Sequence, residues 1–248
     1  MPRGVDVDKP LPISETFVSL QGEGKLTGVP SWFARLSGCN LRCVWCDTPY
    51  ASWRPEGTTR SIDELLDEAR GSGARHAVVT GGEPMMFDGV VELTDRLARE
   101  ASMHVTIETA GTIDRAATAH LLSLSPKLAN STPTAEQAVQ LGGTPSDAAW
   151  ATRHESRRLH VTALQSLINR YGERQFKFVV RGSADIAEID ALLDRLDGWK
   201  PDEIMLMPEG VILPSQKAKD WLVQTCLQRG WRYCGRLHIE LFGNTRGT

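Results

Sequence analysis

The chain lacks long apolar runs, a strong net charge and evenly spread cysteines, and each absence narrows what it can do. No apolar stretch is long enough to cross a bilayer, and the N-terminus carries no apolar signal segment. The formal net charge is only -3, which provides no basic footprint for nucleic acid or for an acidic membrane surface. We therefore expect a cytoplasmic protein that acts on a small molecule, with neither nucleic acid nor membrane as a partner.

Cysteines are few, and three of the five lie together at Cys39, Cys43 and Cys46. A secreted scaffold spaces its disulfide pairs through the chain, so this crowding argues against a disulfide framework. Three thiols on one short loop can instead surround one metal centre. The remaining two, Cys226 and Cys234, are interpreted as structural thiols.

The number of clustered thiols bears on which metal they hold. A structural zinc site needs four ligands, and His76 or His104 would have to supply the fourth from a distance. An iron–sulfur cluster is held by cysteine thiolates, and three of them leave one iron open for a substrate or cofactor. The spacing favours a [4Fe-4S] cluster and leaves a non-catalytic zinc module as an alternative.

Short apolar runs alternate with helical patterns along the chain, which predicts parallel strands joined by crossover helices. The predicted strands are Trp32–Leu36, His76–Val79, His104–Glu108, Leu121–Ser125, Phe176–Val180 and Glu203–Met207. The predicted helices are Ile62–Arg70, Val90–Arg99, Leu159–Tyr171 and Ile186–Leu196. Chemically suggestive residues follow five strand ends, as they do at the C-terminal rim of a barrel. We therefore predict an α/β fold, a partial (β/α) barrel, as a single domain over residues 1–248 with 130–155 an irregular insertion.

A second motif, Thr80-Gly81-Gly82-Glu83-Pro84, follows the second predicted strand. By itself it is typical of a tight strand–helix turn. Together with the CxxxCxxC loop it resembles the radical S-adenosylmethionine superfamily, in which such a segment contacts the methionine amino group of the cofactor. Two glycines would let the backbone approach the cofactor, and Glu83 would offer a carboxylate to an ammonium group.

A wider pattern resembles one family within that superfamily, the 7-carboxy-7-deazaguanine synthases of the queuosine and 7-deazapurine pathway. The matching segments cover nearly the whole chain: residues 19–24, 33–39, 45–48, 108–111, 125–127, 177–180, 207–210 and 237–248. The resemblance implies a ring contraction of 6-carboxy-5,6,7,8-tetrahydropterin to 7-carboxy-7-deazaguanine with loss of ammonia. A glycyl-radical activase, which shares the cysteine loop and the glycine motif but acts on a protein, is the nearest alternative.

The resemblance also implies roles for individual residues, with no classical acid–base pair among them. The cluster ligands would be Cys39, Cys43 and Cys46, and Thr48 would bind Mg²⁺. S-adenosylmethionine would contact Trp45, Thr80, Gly81, Gly82, Glu83, Ser125, Pro126 and Lys127. The pterin would contact Leu20, Gln21, Gly22, Glu23, Arg35, Thr80, His238 and Thr248. Within this set, the Gln21 amide and the Glu23 carboxylate match the hydrogen-bonding edge of a pterin, and the Arg35 cation matches its carboxylate.

The C-terminal segment, residues 237–248, is expected to return to the active site. His238–Phe242 reads as a strand, followed by a turn at Gly243–Gly247 that brings Thr248 inward, where its carboxylate would help to hold the pterin. The resemblance further implies a homodimer and an electron donor such as a flavodoxin or ferredoxin.

Overall fold

The computed structural model describes residues 9–248, and residues 1–8 of the expected single domain lie outside that range. The strands are β1 Leu11–Leu20, β2 Pro30–Leu36, β3 Thr58–Arg60, β4 His76–Gly81, β5 His104–Thr109, β6 Leu121–Leu124, β7 Arg174–Val180, β8 Ile204–Pro208 and β9 Arg232–Tyr233. The helices are α1 Ile62–Gly71, α2 Gly89–Arg99, α3 Ala135–Gly142, α4 Trp150–Arg157, α5 Val161–Arg170, α6 Ser183–Leu193, α7 Gln216–Arg229 and α8 Leu237–Phe242. No helix in the described range combines the length and apolar character that a membrane span requires.

All these strands form one sheet in the order β3-β1-β2-β4-β5-β6-β7-β8-β9. Neighbouring strands are parallel from β2 to β9, while β1 runs antiparallel to both β2 and β3. Parallel neighbours need crossover connections, which the helices between them provide. The predicted α/β class is confirmed, and a partial barrel is consistent with this order.

Alternation along each strand divides the side chains between two faces. In β7, Phe176, Phe178 and Val180 join the main core, while Lys177 and Val179 point to the opposite face. Burying a side chain such as phenylalanine stabilises the fold by about 1.5 to 3 kcal/mol, so the core face fixes the register of the strand. The opposite face is thereby free to present polar groups to the barrel mouth.

The six predicted strands are all present, with ends shifted by at most two residues, and the four predicted helices correspond to α1, α2, α5 and α6. The capping box of Ser61 and Glu64 starts α1, as the sequence indicates. Strands β1, β3 and β9 and helix α7 were not predicted. Strand β1 carries polar residues at successive positions, and β3 and β9 are too short to leave a pattern.

The prediction of an irregular segment at 130–155 is wrong, because this part of the chain contains α3 and most of α4. Helix α3 begins with a capping box in which Thr134 accepts a hydrogen bond from Gln137 N and the Gln137 side chain accepts one from Thr134 N. Threonine and glutamine at this spacing signal a helix start. The surrounding Thr, Ser and Gly residues masked that signal.

The predicted strand at His238–Phe242 is also wrong, since these residues belong to α8. A strand needs a neighbouring backbone to pair with. Here Leu237 N–H donates to Gly22 O at 2.9 Å, and Gly243 N–H closes the helix onto Ile239 O at 3.0 Å. The start of the tail is thus a short helix attached to the loop after β1.

Candidate active site

A cavity of about 300 Å³ opens where the parallel strands end. Its volume is at the lower end for small-molecule sites. It is lined by most of the residues singled out from the sequence: Leu20, Gln21, Gly22, Glu23, Arg35, Cys39, Cys43, Trp45, Cys46, Thr48, Thr80, Gly81, Gly82, Ser125, Lys127, His238 and Thr248. Two of the expected cofactor contacts, Glu83 and Pro126, are not among the lining residues.

The three clustered thiols share one wall of the cavity. Burial and the charge of Glu83 raise the pKa of Cys39 to about 12, and burial likewise raises the pKa of Cys43 and Cys46. Ionising such thiols requires positive charge, which a bound iron centre supplies. Within residues 9–248 no three His, Cys, Asp or Glu side chains are grouped for a single metal ion. Three cysteines around shared open space fit a cluster with three protein ligands.

The glycines of the Thr80–Pro84 motif allow the end of β4 to pack closely against the segment that leads into the cysteine loop. A Cβ on Gly81, whose φ is +141°, would lie 2.3 Å from Leu36 O. A Cβ on Gly82 would lie 2.1 Å from Gly38 O. Any side chain at either position would push the strand end away from the loop that carries the thiols.

Glu83 lies behind this wall, fully buried, and its carboxylate is already satisfied by protein donors. It accepts hydrogen bonds from Thr109 Oγ1 at 2.7 Å, Ala110 N at 2.8 Å and Met85 N at 3.0 Å. Burial raises the pKa of this carboxyl. The geometry therefore gives Glu83 a bracing role between β4 and β5, while its contact with the cofactor ammonium stays a prediction.

Ser125 and Lys127 stand at the end of β6, facing the thiols. Lys127 Nζ donates to Ser125 Oγ at 2.8 Å and lies 5.5 Å from the centre of the Trp45 ring. The Trp45 indole N–H in turn donates to Asn130 O and Oδ1 at 3.1 and 3.0 Å. This arrangement holds a hydroxyl, a cation and an aromatic face at one end of the cavity.

The opposite wall carries paired charges. Lys177, almost fully buried on β7, donates to Glu23 Oε2 at 2.8 Å and to Glu108 Oε1 at 3.3 Å. Burial opposes the charged forms, yet Lys177 and Arg236 lower the pKa of Glu23 to about 2, while Glu108 and Glu23 raise the pKa of Lys177. Glu23 is therefore held ionised at the cavity surface, with Glu108 hydrogen-bonded to the same lysine beside it.

Uncharged groups complete this wall. Gln21 Nε2 donates to Glu108 Oε1 at 3.3 Å, and Thr80 Oγ1 donates to Glu108 Oε2 at 3.0 Å. Gln21 Oε1 also accepts from Glu23 N at 3.2 Å. The wall thus presents fixed acceptors with a defined orientation, which suits the N–H groups of a nitrogen heterocycle.

Arg35 projects from β2 and is oriented by its neighbours. Its Nε donates to Glu15 Oε1 at 2.7 Å, and the Tyr50 hydroxyl donates to the same oxygen at 2.8 Å. Burial opposes the charge, but the charges of Tyr50 and Glu15 raise the pKa of Arg35. The guanidinium is thus a permanent cation in the cavity wall, able to receive a carboxylate.

The C-terminal tail forms part of the cavity wall. His238 packs directly on Gly22, where a Cβ would lie 2.0 Å from His238 Nδ1. Arg246 pairs with Glu15 Oε2 at 3.2 Å and with Glu56 Oε2 at 2.9 Å. Its guanidinium also lies 4.1 Å from the centre of the Tyr50 ring. Thr248 is among the residues that line the cavity.

Thr48 lies beside the cysteine loop at the cap of a short 3₁₀ helix that begins at Pro49. Its hydroxyl donates to Asp47 Oδ1 at 3.0 Å. That donation leaves the oxygen lone pairs of Thr48 available, and hydroxyl oxygen is an acceptable ligand for Mg²⁺.

Sequence reasoning missed several lining or supporting residues: Glu15, Tyr50, Glu108, Lys177 and Arg236. Glu108 and Lys177 fall in matched segments, and their place on inward positions of β5 and β7 was a usable signal. Glu15 lies on β1, a strand that was not predicted, so no sequence signal pointed to it.

Comparisons with known proteins agree with this geometry. The radical SAM superfamily model matches residues 35–131. The 7-carboxy-7-deazaguanine synthase of Rhodopirellula baltica is 48% identical, over 95% of this chain and 88% of that protein. The enzyme of the same name from Halobacterium salinarum is 45% identical, over 96% of this chain and 93% of the relative.

A solved structure supports the same relationship. The crystal structure of QueE from Escherichia coli superposes with a TM-score of 0.69 at 30% identity, covering 92% of this chain and 95% of that one. These matches run over the whole fold, so neither a zinc module nor a glycyl-radical activase accounts for them. The chain belongs to the 7-carboxy-7-deazaguanine synthase family of radical SAM enzymes.

Proposed function

We propose that this protein contracts the ring of 6-carboxy-5,6,7,8-tetrahydropterin to give 7-carboxy-7-deazaguanine and ammonia. The observation that carries the proposal is the division of one cavity between three clustered thiols and a wall of paired charges. A bound cluster with S-adenosylmethionine supplies one-electron chemistry that abstracts a hydrogen atom. The protein's own residues bind and orient the substrate for it.

On the cofactor side, Cys39, Cys43 and Cys46 would hold the cluster. The backbone at Gly81 and Gly82, the Ser125 hydroxyl and the Lys127 ammonium would bind the polar groups of S-adenosylmethionine. Lys127 suits a carboxylate, and Ser125 suits ribose hydroxyls. The Trp45 ring beside Lys127 offers an apolar face to the same ligand.

On the substrate side, the fixed acceptors Glu23 and Glu108 would take N–H groups of the pterin edge, with Gln21 and Thr80 beside them. Arg35 would pair with the substrate carboxylate, because Glu15 already occupies its Nε and leaves the remaining N–H groups to donate. His238 and the terminal carboxylate of Thr248 would close the pocket over the ring.

Magnesium would bind at Thr48 and share the substrate carboxylate with Arg35, fixing that group while the ring rearranges. Replacing Thr48 by Val keeps the shape of the side chain and removes the oxygen. We expect turnover of this variant to lose its stimulation by Mg²⁺ while its iron and sulfide content is unchanged. An unaltered Mg²⁺ dependence would reject this ligand.

The reaction is tested by anaerobic incubation of the reconstituted protein with the carboxytetrahydropterin, S-adenosylmethionine, Mg²⁺ and dithionite, followed by mass spectrometry. We expect 7-carboxy-7-deazaguanine, with S-adenosylmethionine recovered. Cleavage of the cofactor to 5′-deoxyadenosine without this product would keep the radical chemistry and reject the substrate.

The protein is further proposed to act in the cytoplasm as a homodimer and to receive its electron from a flavodoxin or ferredoxin. The family relationship supports these assignments. Sedimentation equilibrium of the purified protein would test the dimer.

A further inference from the structure

A cluster of arginines surrounds one tryptophan beside the cysteine loop. Trp150, Arg153 and Arg157 lie at positions i, i+3 and i+7 of α4, which places them on one face of the helix. The guanidinium carbons of Arg42, Arg153 and Arg157 lie 4.2, 5.6 and 6.0 Å from the centre of the Trp150 ring. We call Arg42, Trp150, Arg153 and Arg157 the Trp150 patch.

The charge of the Trp150 patch is not neutralised by ion pairs. Across residues 9–248, none of its three arginines lies within ion-pair distance of a carboxylate, and Arg153 and Arg157 are exposed. The neighbouring Glu155 is engaged by Arg158 at 2.7 Å. Asp147 acts on Arg42 electrostatically, although its carboxylate also accepts from Thr144 N and Oγ1. A concentrated basic surface remains on a chain whose net charge is -3.

The patch is attached directly to the loop that carries the thiols. Arg42 Nη1 donates to Cys39 O and to Leu41 O, each at 2.7 Å. The buried His154 of α4 accepts a hydrogen bond from Arg42 N at 3.0 Å. One guanidinium therefore contacts both the cysteine loop and the surface tryptophan, so a partner bound at the patch lies next to the cluster site.

We propose that the Trp150 patch is the docking surface for a small acidic flavodoxin that delivers the electron the cluster needs. This rests on the proposed function, because only the cluster chemistry requires an external one-electron donor. The carrier loses one electron and the cluster gains it, and no atom is transferred. Charge complementarity favours an acidic partner, and an aromatic ring among cations suits the exposed planar edge of a flavin.

Charge reversal at the exposed part of the patch tests the proposal. The variant Arg153→Glu/Arg157→Glu leaves Arg42 and its contacts to the cysteine loop in place. Its matched control is Arg75→Glu/Arg232→Glu, since both residues are exposed, lie outside ion-pair distance of any carboxylate within residues 9–248, and stand at the opposite, N-terminal ends of β4 and β9. Both variants change the net charge by the same amount.

Two readouts are compared. In the first, oxidised acidic flavodoxin is titrated into each protein and its affinity is measured at several salt concentrations. We expect the patch variant to bind about tenfold more weakly at low salt with a flatter salt dependence, and the control to bind as the parent does. Equal binding by patch variant and control would overturn the proposal, as would binding of an RNA oligomer at the patch in preference to flavodoxin.

In the second, turnover is driven either by reduced flavodoxin or by dithionite, which needs no docking surface. We expect the patch variant to lose about tenfold in flavodoxin-driven turnover and to retain its dithionite-driven turnover. A parent protein inactive with dithionite would reject the proposed function instead. A patch variant that is fully active with flavodoxin, beside an active parent, would reject the docking surface alone.

Discussion

The two walls of the cavity have opposite effects on the ionisation of their side chains. On the thiol wall, burial pushes the cysteines toward their neutral form and raises the pKa of Cys39 to about 12. On the facing wall, burial is outweighed by mutual attraction, so that Glu23 has a pKa near 2 and the pKa of Lys177 is raised. One wall acquires charge only when a metal centre binds, whereas the other is charged before any ligand arrives.

This difference indicates that the two walls have separate functions, one toward the substrate and one toward the cofactor. Preorganised charges cost no rearrangement when the substrate binds, so the charged wall can orient it accurately. If the thiol wall holds the proposed cluster, iron binding there is coupled to loss of thiol protons. Changes on the thiol wall should abolish the cofactor chemistry, and changes on the charged wall should spare it.

The largest effect is expected from Cys43→Ala, which removes one of the three proposed cluster ligands. We expect iron content to fall and turnover to drop by at least about 10³-fold, as for loss of a catalytic centre. Iron analysis and cluster absorbance after anaerobic reconstitution measure this. Cys226→Ala, a buried cysteine outside the cavity, is the control. An intact cluster with full turnover in Cys43→Ala would contradict the ligand assignment.

Lys177→Met should have the next largest effect, because it leaves Glu23 and Glu108 without their shared cation. We expect a loss of about 3 kcal/mol in the free energy of unfolding, as for breaking a buried ion pair. Urea denaturation at neutral pH checks it. The double variant Lys177→Met/Glu23→Gln removes one of the two carboxylates that lose Lys177 and should recover part of the loss. No recovery would show that the pairing is not what Lys177 contributes.

The pH dependence of stability isolates Glu23. Its folded pKa of about 2 lies below its ordinary value of 4.5, so its contribution is present above pH 4.5 and is lost as the pH falls toward 2. This contribution to the free energy of unfolding is about 3 kcal/mol. Denaturation at pH values from 6 to 3 should show a shallower decline for Glu23→Gln than for the parent. Parallel curves would argue against an ionised, paired Glu23.

Arg246→Ala is expected to give the smallest effect. It frees the tail from Glu15 and Glu56, but the pairs are partly exposed, and such pairs contribute little. We expect KM for the pterin to rise about threefold with kcat little changed, and carboxypeptidase to shorten the tail faster. Arg229→Ala, which removes a surface pair with Asp190, is the control and should change neither.

The two walls also differ in how far the sequence predicted them. The thiol wall follows from local motifs, since the cysteines lie on one loop and the glycines on one strand end. The charged wall depends on Glu23, Glu108 and Lys177 meeting from distant parts of the chain. The order β5-β6-β7 brings Glu108 and Lys177 together, and the loop after β1 adds Glu23. Their pairing could not be read from spacing.

The fold shows the same contrast between local and distant information. The parallel strands were predicted because each contains a short, largely apolar run bounded by turn residues. Strand β1 was missed because polar residues interrupt it, among them Glu15, which accepts a hydrogen bond from Arg35. Glu83 was given a ligand role because its motif suggested one, but its burial beneath the wall becomes visible only in three dimensions.

The division between the two walls is tested most directly by following cofactor cleavage and product formation together in Cys43→Ala and Glu23→Gln. Both are assayed anaerobically with dithionite, S-adenosylmethionine, Mg²⁺ and the carboxytetrahydropterin, and 5′-deoxyadenosine and 7-carboxy-7-deazaguanine are quantified by mass spectrometry. We predict that Cys43→Ala forms neither compound, whereas Glu23→Gln still forms 5′-deoxyadenosine and loses most of the deazaguanine. Loss of both compounds in Glu23→Gln, with its cluster intact, would contradict the division.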